Sequence, residues 1–283
     1  MTPRVGLSLM PTEDFRRAAV PLFAEGSVEA VEWGPDVRYA GGIPDWFVPL
    51  LDHYADHGAL YAHGVHYSLL SVESHGHHAR WLEVMGDALA ERRYRHVTEH
   101  FGFMVAPGFD RGAPLPLPYL PEVVALGRGR LARLAQVAGV PVGLENLATA
   151  LSPEDVVHQA AMLVDVLDVV DGFLLLDVHN LWCQAVNWGH DPIRLLESYP
   201  LDRVREIHVS GGSWTEEQDW RWRRDTHDHD VPEPVFDLLG EALGRCPGVE
   251  VVIFERMGGT IRDAAEEAGM RVDFRRILEA VHG

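Results

Sequence analysis

The sequence predicts an α/β protein, a (β/α)8 barrel of eight parallel strands each followed by a helix, and three observations lead there. The first is rhythm: apolar runs that read as strands fall at 4–9, 28–33, 60–66, 95–100, 141–146, 172–178, 204–209 and 250–255, with helix-like stretches between them. The second is where polarity resumes. Glu32, His63, His100, Glu145, Asp177, His208 and Glu255 all sit at or just past the end of such a run. One strand that stops at a His or Glu is ordinary, but the same kind of side chain at the same end of strand after strand is what one active site at the C-terminal face of a parallel barrel requires. The third is length. A chain of 283 residues suits an α/β barrel, and no low-complexity linker breaks it, so residues 1–283 are expected to form one domain.

Taken in order, the N-terminal MTPRVGLSLMP already looks like a strand and lacks the basic-then-apolar pattern of a signal peptide. Helices are expected at 12–25, 44–58, 78–93, 120–138, 153–168, 191–198, 231–245 and 260–281. SPEDVVHQAAMLVDVLD is the clearest of them. Ser152 stands as N-cap, Pro153 at the first helical position, and Glu154 and Asp155 in the first turn. VPEPVFDLLGEAL opens similarly, with Pro232 and Pro234 near its start. FLLLDV is a nearly continuous apolar run, as a parallel strand buried on both faces should be. An open doubly wound sheet is the main competitor, yet no G-x-G-x-x-G follows the first strand. The Pro-rich RGAPLPLPYLP (111–121) reads as a loop over the barrel mouth.

Composition narrows the function. The formal charge of -19 speaks against a nucleic-acid partner, which needs a basic footprint. All 24 Lys-or-Arg positions are arginine, which removes Schiff-base chemistry and a P-loop lysine. No stretch is apolar enough to span a membrane. Cys183 and Cys246 are too few for a disulfide framework or a CxxC zinc site, so a reducing cytoplasm is expected. With 43 acidic residues and 16 histidines, metal chemistry stays open.

The polar clusters divide into stronger and weaker candidates. DTHDHDVP offers Asp225, His227, Asp228 and His229 after the seventh strand; the bland alternative is a solvated loop. His63 and His66 are three apart, so strand alternation sends them to opposite faces and only one can point inward. Asp177 and Asn180 lie across a strand end, and His179 shares parity with Asp177. Glu99, beside His100, is either a supporting partner or solvent-facing. SHGHH (74–78) reads mostly as loop and N-cap. Trp182, Trp188, Trp214, Trp220 and Trp222 fall in what read as the loops after strands six and seven, where they line a cleft or pack the loops down. Cys183 lies near the mouth, but no neighbouring motif makes it a nucleophile.

The order HGV (63–65), TEHF (98–101), LEN (144–146), LLLDVHNL (174–181) with AVNWGHDP (185–192), EIHVSG (206–211), DTHDHDVP (225–232) and FER (254–256) resembles the multinuclear non-heme iron-dependent oxidases. This is the family of the methanobactin-biosynthesis oxidase, formerly a domain of unknown function. The resemblance implies a TIM barrel of the xylose-isomerase-like kind with two or three iron ions at its C-terminal mouth. It implies dioxygen as co-substrate and a ribosomally made precursor peptide, often modified at cysteine, as substrate. A separate partner protein that presents the peptide is implied too. Carried over by motif, the metal ligands are His63, His100, Glu145, Asp177, Asn180, His208, Asp225, His227 and Glu255, with Asp225 and His227 expected to act in catalysis as well. The chain also departs from the family pattern. His179 stands where an asparagine is usual, Gly212 and Ser213 follow the EIHVSG motif where a histidine is usual, Met257 replaces an acidic residue, and the glycine-rich N-terminal opening is missing. These mark a diverged branch.

The chemistry is coherent without the family. A set of His, carboxylate and Asn donors suits Fe(II), Mn(II) or Zn(II) rather than Cu(I), and carboxylates such as Glu145 and Asp225 can bridge two ions. Two other readings stay open on the residues alone. One is a divalent-metal sugar isomerase or epimerase of the xylose-isomerase-like barrel type, and the other is a non-catalytic barrel that binds metal or a partner.

Overall fold

In the computed structural model the described residues are 2–36, 42–72, 76–106, 108–217 and 220–283, the side chains of 110–112 excepted. In chain order the elements begin with β1 (Arg4–Ser8), α1 (Glu13–Ala24), β2 (Ala30–Trp33), α2 (Phe47–Asp56), β3 (Leu60–Gly64), α3 (His77–Glu91) and β4 (Val97–His100). They continue with β5 (Phe103–Ala106), β6 (Phe109–Leu115), α4 (Pro121–Ala138), β7 (Val142–Glu145), α5 (Pro153–Leu167), β8 (Phe173–Asp177), α6 (Val178–Trp188) and α7 (Pro192–Glu197). After a 3-10 turn at Leu201–Arg203 come β9 (Val204–Ser210), β10 (Trp214–Glu217), β11 (Trp220–Arg223), α8 (Glu233–Arg245), β12 (Val251–Glu255) and α9 (Ala264–His282).

Eight strands close into a barrel in the order β1-β12-β9-β8-β7-β4-β3-β2, and every pairing recorded in it is parallel. All eight expected strands are present, each within a few residues of its expected span. The reason is burial: Phe173, Leu174, Leu175 and Leu176 of β8 are all buried, as are Val251, Val252, Ile253 and Phe254 of β12. Ser152 caps α5 as expected, its hydroxyl accepting from the Asp155 amide at 3.1 Å.

Register turns this architecture into a site. His100 pairs with Glu145 and Asp177 pairs with His208, so polar strand ends from neighbouring strands stand level with one another. The bottom of the barrel holds a buried polar pair as well, His96 Nε2 and Glu206 Oε2 at 2.8 Å.

The sequence reading needs three corrections. No helix was expected directly after β8, yet Val178–Trp188 forms α6. Asp177 ends the strand and at once caps the helix through the Asn180 amide at 2.7 Å, and Gly189 closes it in the left-handed region at φ +70°. Trp182 and Trp188 therefore sit on a helix, while Trp214, Trp220 and Trp222 belong to the antiparallel β10–β11 hairpin. The Pro-rich segment is part strand, since its first residues, up to Leu115, pair within the antiparallel β5–β6 hairpin. Of SHGHH, Ser74 and His75 lie outside the described residues, and His77 and His78 open α3.

Gly64 shows how tightly the strand ends are packed. A Cβ there would press into the Glu99 carboxyl and come within 2.5 Å of the Trp81 ring. Gly64→Ala is expected to destabilise the fold by about 1–3 kcal/mol, the usual cost of overpacking. A urea titration showing an unchanged midpoint would contradict this.

Candidate metal centre

The mouth gathers its donors through the alternation of the strands. Glu206, His208 and Ser210 share one face of β9, and His208 is the one that reaches the centre, with Nε2 3.2 Å from Glu32 and Nδ1 3.1 Å from Glu255. From β3 and β4, the Nε2 atoms of His63 and His100 lie 3.5 Å apart, and each is 3.4 Å from Glu145 Oε2 on β7. The Nδ1 of His63 is occupied by the Thr98 hydroxyl at 2.9 Å, which aims the other nitrogen inward.

Four groups of possible ligand atoms result: His63, His100 and Glu145; Glu32, His208 and Glu255; Glu145, Asp177 and His208; Asp177, His227 and Glu255. Within each group the atoms all lie within 4.8 Å of one another. The groups overlap through Glu145, Asp177, His208 and Glu255, so the donors form one continuous cluster. Asp225 joins it through Oδ1, 2.8 Å from His227 Nε2. His227 has φ +51°, a left-handed backbone uncommon for a residue other than glycine. Asn180 donates to Glu145 Oε1 and to the Asn146 carbonyl, each at 3.0 Å.

Many of these atoms are buried and unsatisfied. Among the described residues, Glu32 Oε1, Glu145 Oε2, Asp177 Oδ2, Asn180 Oδ1, His208 Nδ1 and His227 Nε2 have no hydrogen-bond partner. His227 and Asp225 approach closely, but out of hydrogen-bond alignment. Buried polar atoms are normally satisfied, so orphans converging on one place fit a cation that would supply the missing contact.

The charge state says the same. Burial pushes the Asp177 carboxyl up to about 8, helped by Asp225, and pushes Glu32 up to about 7. Burial also holds Glu145 well above the usual carboxylate range. Burial drives His100 down to about 4 and His63 well below its ordinary value, so both imidazoles are neutral with lone pairs to offer. Burial opposes charge on His227 too, but Asp225 and Glu255 raise it to about 10. Glu255 goes the other way: burial is outweighed by His208 and His227, and its carboxyl falls to about 2.

Each sequence-derived candidate now has a place. Of the His63 and His66 pair, His63 faces the centre; the four groups do not include His66, whose backbone amide donates to Asp36 at 2.7 Å. Asp228 and His229 pair with each other at 2.8 Å, apart from the donor groups. Both ring nitrogens of His179 are engaged. The Arg223 guanidinium donates to Nε2 at 3.1–3.2 Å, which leaves Nδ1 to donate to Asp225 at 3.0 Å. His179 thus orients Asp225. Glu99 is fully buried, not solvent-facing, with Oε1 3.9 Å from His100 Nδ1. Cys183 is buried beside His179, and burial holds its thiol well above the ordinary range, which suits packing rather than attack. Sequence reasoning passed over Glu206 and His96. Strand alternation with His208 was the available signal for Glu206, and nothing marked His96.

Two cavities open onto the cluster. One, of about 270 Å³, is lined by His63, His100, His227 and Glu255. The other, of about 340 Å³, is lined by Thr149, Asn180, Trp220 and Trp222. Ala113, Pro114 and Asp225 border both.

A family model described as RiPP precursor modification enzyme MbnB/TglH/ChrH matches residues 42–263. A UPF0276 protein of Streptomyces avermitilis is 34% identical over 62% of this chain and 39% of its own length. One from Caulobacter vibrioides is 32% identical over 56% of this chain and 55% of its own. These matches span about half or less of those relatives. A third, from Acinetobacter baylyi, is 29% identical over 90% of this chain and 85% of its own. Among solved structures, a xylose isomerase-like TIM barrel protein from Mycobacterium smegmatis in complex with magnesium superposes with TM-score 0.58 at 15% identity, covering 99% of this chain and 98% of that one. An L-ribulose 3-epimerase gives TM-score 0.61 at 14% identity over 99% and 94%. At such identities the likeness is one of fold alone, and it agrees with the barrel read from the sequence.

Proposed function

Because this chain belongs to the RiPP precursor modification enzymes of the MbnB/TglH/ChrH family, we propose that it is a multinuclear iron- and dioxygen-dependent oxidase that modifies a ribosomally synthesised, cysteine-containing precursor peptide. The observation that carries this reading is the continuous cluster of donors, too many and too spread for one ion, with orphaned atoms converging on its centre.

In this reading His63, His100, Glu145, Asp177, Asn180, His208, Asp225, His227 and Glu255 hold two or three iron ions, and Glu32 stands ready beside His208. Bound iron would supply a seat for dioxygen and the redox capacity that side chains lack. The protein does the rest. Thr98 orients His63, and Glu99 lies beside His100 without a hydrogen bond to it; Arg223 and His179 fix Asp225; the hairpins over the mouth limit water. Asp225 and His227 lie where a substrate proton would be passed, because they border the cavities as well as the donors. The substrate enters as a peptide presented by a partner protein. Two cavities that share Pro114, the larger of them lined by Trp220 and Trp222, suit a chain better than a free sugar. The charge of -19 favours a neutral or basic peptide over a phosphorylated metabolite. Among the described residues no helix is long and apolar enough to cross a membrane. We take the enzyme to work in the cytoplasm as one domain.

Anaerobically purified protein is expected to carry two or three iron ions per chain. With oxygen it should change the mass of a precursor peptide encoded nearby. Zinc alone on elemental analysis, with no activity restored by Fe(II) and oxygen, would sink the oxidase reading. Turnover of a free sugar without oxygen would replace it with a divalent-metal isomerase or epimerase.

A further inference from the structure

The larger cavity is a slot between the two hairpins, with Ala113 and Pro114 of β6 on one side and Thr215, Trp220 and Trp222 of β10–β11 on the other. Its volume, about 340 Å³, fits one or two residues of an extended chain and not a folded partner. Trp220 is half exposed, and its ring meets that of Trp222 edge to face at 80°, with centroids 6.4 Å apart. Two indoles so arranged offer a face and an edge to a third ring.

The slot also carries a guanidinium, which stands beside Asp225. Within the run Trp220–Arg224 of a strongly acidic protein stand three arginines, and two of them are engaged. Arg221 pairs with Glu216 at 2.9 Å and lies 3.8 Å over Trp214. Arg223 is buried against His179 and Trp182. Arg224 lines the slot, is exposed, and has no carboxylate partner among the described residues. A guanidinium at the edge of an aromatic slot selects a carboxylate. Asp225 borders both this slot and the donor-lined cavity, so a chain passing from one to the other crosses there. Successive Cα atoms are about 3.8 Å apart, which puts neighbouring residues on the two sides of that crossing.

We propose that this slot is a specificity subsite: it seats an aromatic residue next to the modified residue of the peptide, against the corner that Trp220 and Trp222 form, and pairs a peptide carboxylate with Arg224. This rests on the peptide-substrate reading above. The carboxylate comes either from an acidic side chain or from the end of the peptide.

Binding can be read without chemistry by using serine in place of the reactive cysteine. Four synthetic probes are titrated calorimetrically into anaerobic, metal-loaded protein: acetyl-Gly-Ser-Phe-Asp-amide, its Asn-for-Asp and Gly-for-Phe counterparts, and acetyl-Gly-Ser-Phe with a free C-terminus. The Phe-Asp probe is expected to bind about tenfold tighter than the Asn or Gly counterpart, a difference of about 1.4 kcal/mol. If the chain end is the source, the free-acid probe gains instead. Arg224→Ala should erase the carboxylate preference alone, and Trp222→Ala the aromatic preference alone. Equal affinity for all four probes, absence of any binding included, overturns the subsite, as do variants that keep both preferences. The same peptides with cysteine restored, given iron and oxygen, separate the two ideas. Intact preferences with no mass change in any peptide sink the oxidase and support the subsite. A mass change indifferent to Arg224→Ala and to peptide composition does the reverse.

Discussion

Replacing His208 with alanine is expected to strip the protein of most of its metal and to lower turnover by more than about 100-fold. Changes to residues that merely support a metal ligand already cost about 10–100-fold, so the loss of a ligand sets that as a lower bound. His208 is central by geometry, with Glu32, Glu206 and Glu255 all within 3.6 Å of its ring nitrogens. Burial acts against charge on this imidazole, but the Glu255 and Glu32 carboxylates outweigh it and raise it well above the ordinary histidine range. Without the imidazole those carboxyls face one another unneutralised, and protonation is their way out. The barrel should persist, because its apolar layers lie elsewhere and mouth residues serve function more than stability. Glu255→Ala should behave alike, since it removes the partner His208 shares with His227. Elemental analysis and circular dichroism check both parts. If both variants keep full metal and activity, the strand ends are wrongly assigned.

The second large effect concerns pH and metal together. Asp177 has its pKa raised from 3.8 to about 8, Glu32 from 4.5 to about 7, and His227 from 6.5 to about 10. A group raised in the folded state adds stability below its unfolded pKa and loses it as pH climbs through the folded value. His100 and Glu255 are lowered, to about 4 and about 2, so their stabilising contributions are complete above pH 6.5 and 4.5. From pH 6.5 to 8 these groups therefore leave only losses. Metal-free protein should show a Tm that falls by several degrees across that window, at roughly 2–4 °C per kcal/mol for a chain of this size. Fe(II) added without oxygen should raise Tm, by about 2.7 kcal/mol of stability at a hundredfold excess over Kd. The gain should be larger at pH 8 than at pH 6.5, because fewer protons remain to be displaced. A flat Tm with an equal metal effect at both pH values would contradict the assignment of these buried groups.

Most of the barrel was legible because its signals are local. A strand buried on both faces must be apolar throughout, and a helix start such as Ser152–Pro153 carries its own cap. What escaped was non-local or doubly used. Asp177 ends β8 and caps α6 with no residue between, so no turn chemistry separates strand from helix. The β10–β11 hairpin reads WTEE and WRWR, with charges interleaved along an exposed ribbon, and lacks the apolar run that marks a barrel strand. The clustering of Glu32, His63, His100, Glu145, Asp177, His208 and Glu255 was legible by their recurrence at strand ends, whereas Asn180, Asp225 and His227 lie off the strands. Their support was not. Glu206 of β9 and His96, just before β4, meet across the barrel interior although β9 and β4 are not neighbours, and the role of His179 depends on an arginine 44 residues away. Such partnerships are set by closure of the barrel, which no single stretch of sequence encodes.

The carboxylates of the centre also fix how much positive charge it can hold. Glu32, Glu145, Asp177, Asp225 and Glu255 are five potential negative charges around otherwise neutral donors. Two divalent ions would leave the ensemble one charge negative, and three would leave it one charge positive. If the proposed enzyme holds three divalent ions, its centre would be short of one anion, which a peptide thiolate would supply. Electroneutrality would then make substrate binding and the last ion mutually reinforcing, each held more firmly when the other is in place.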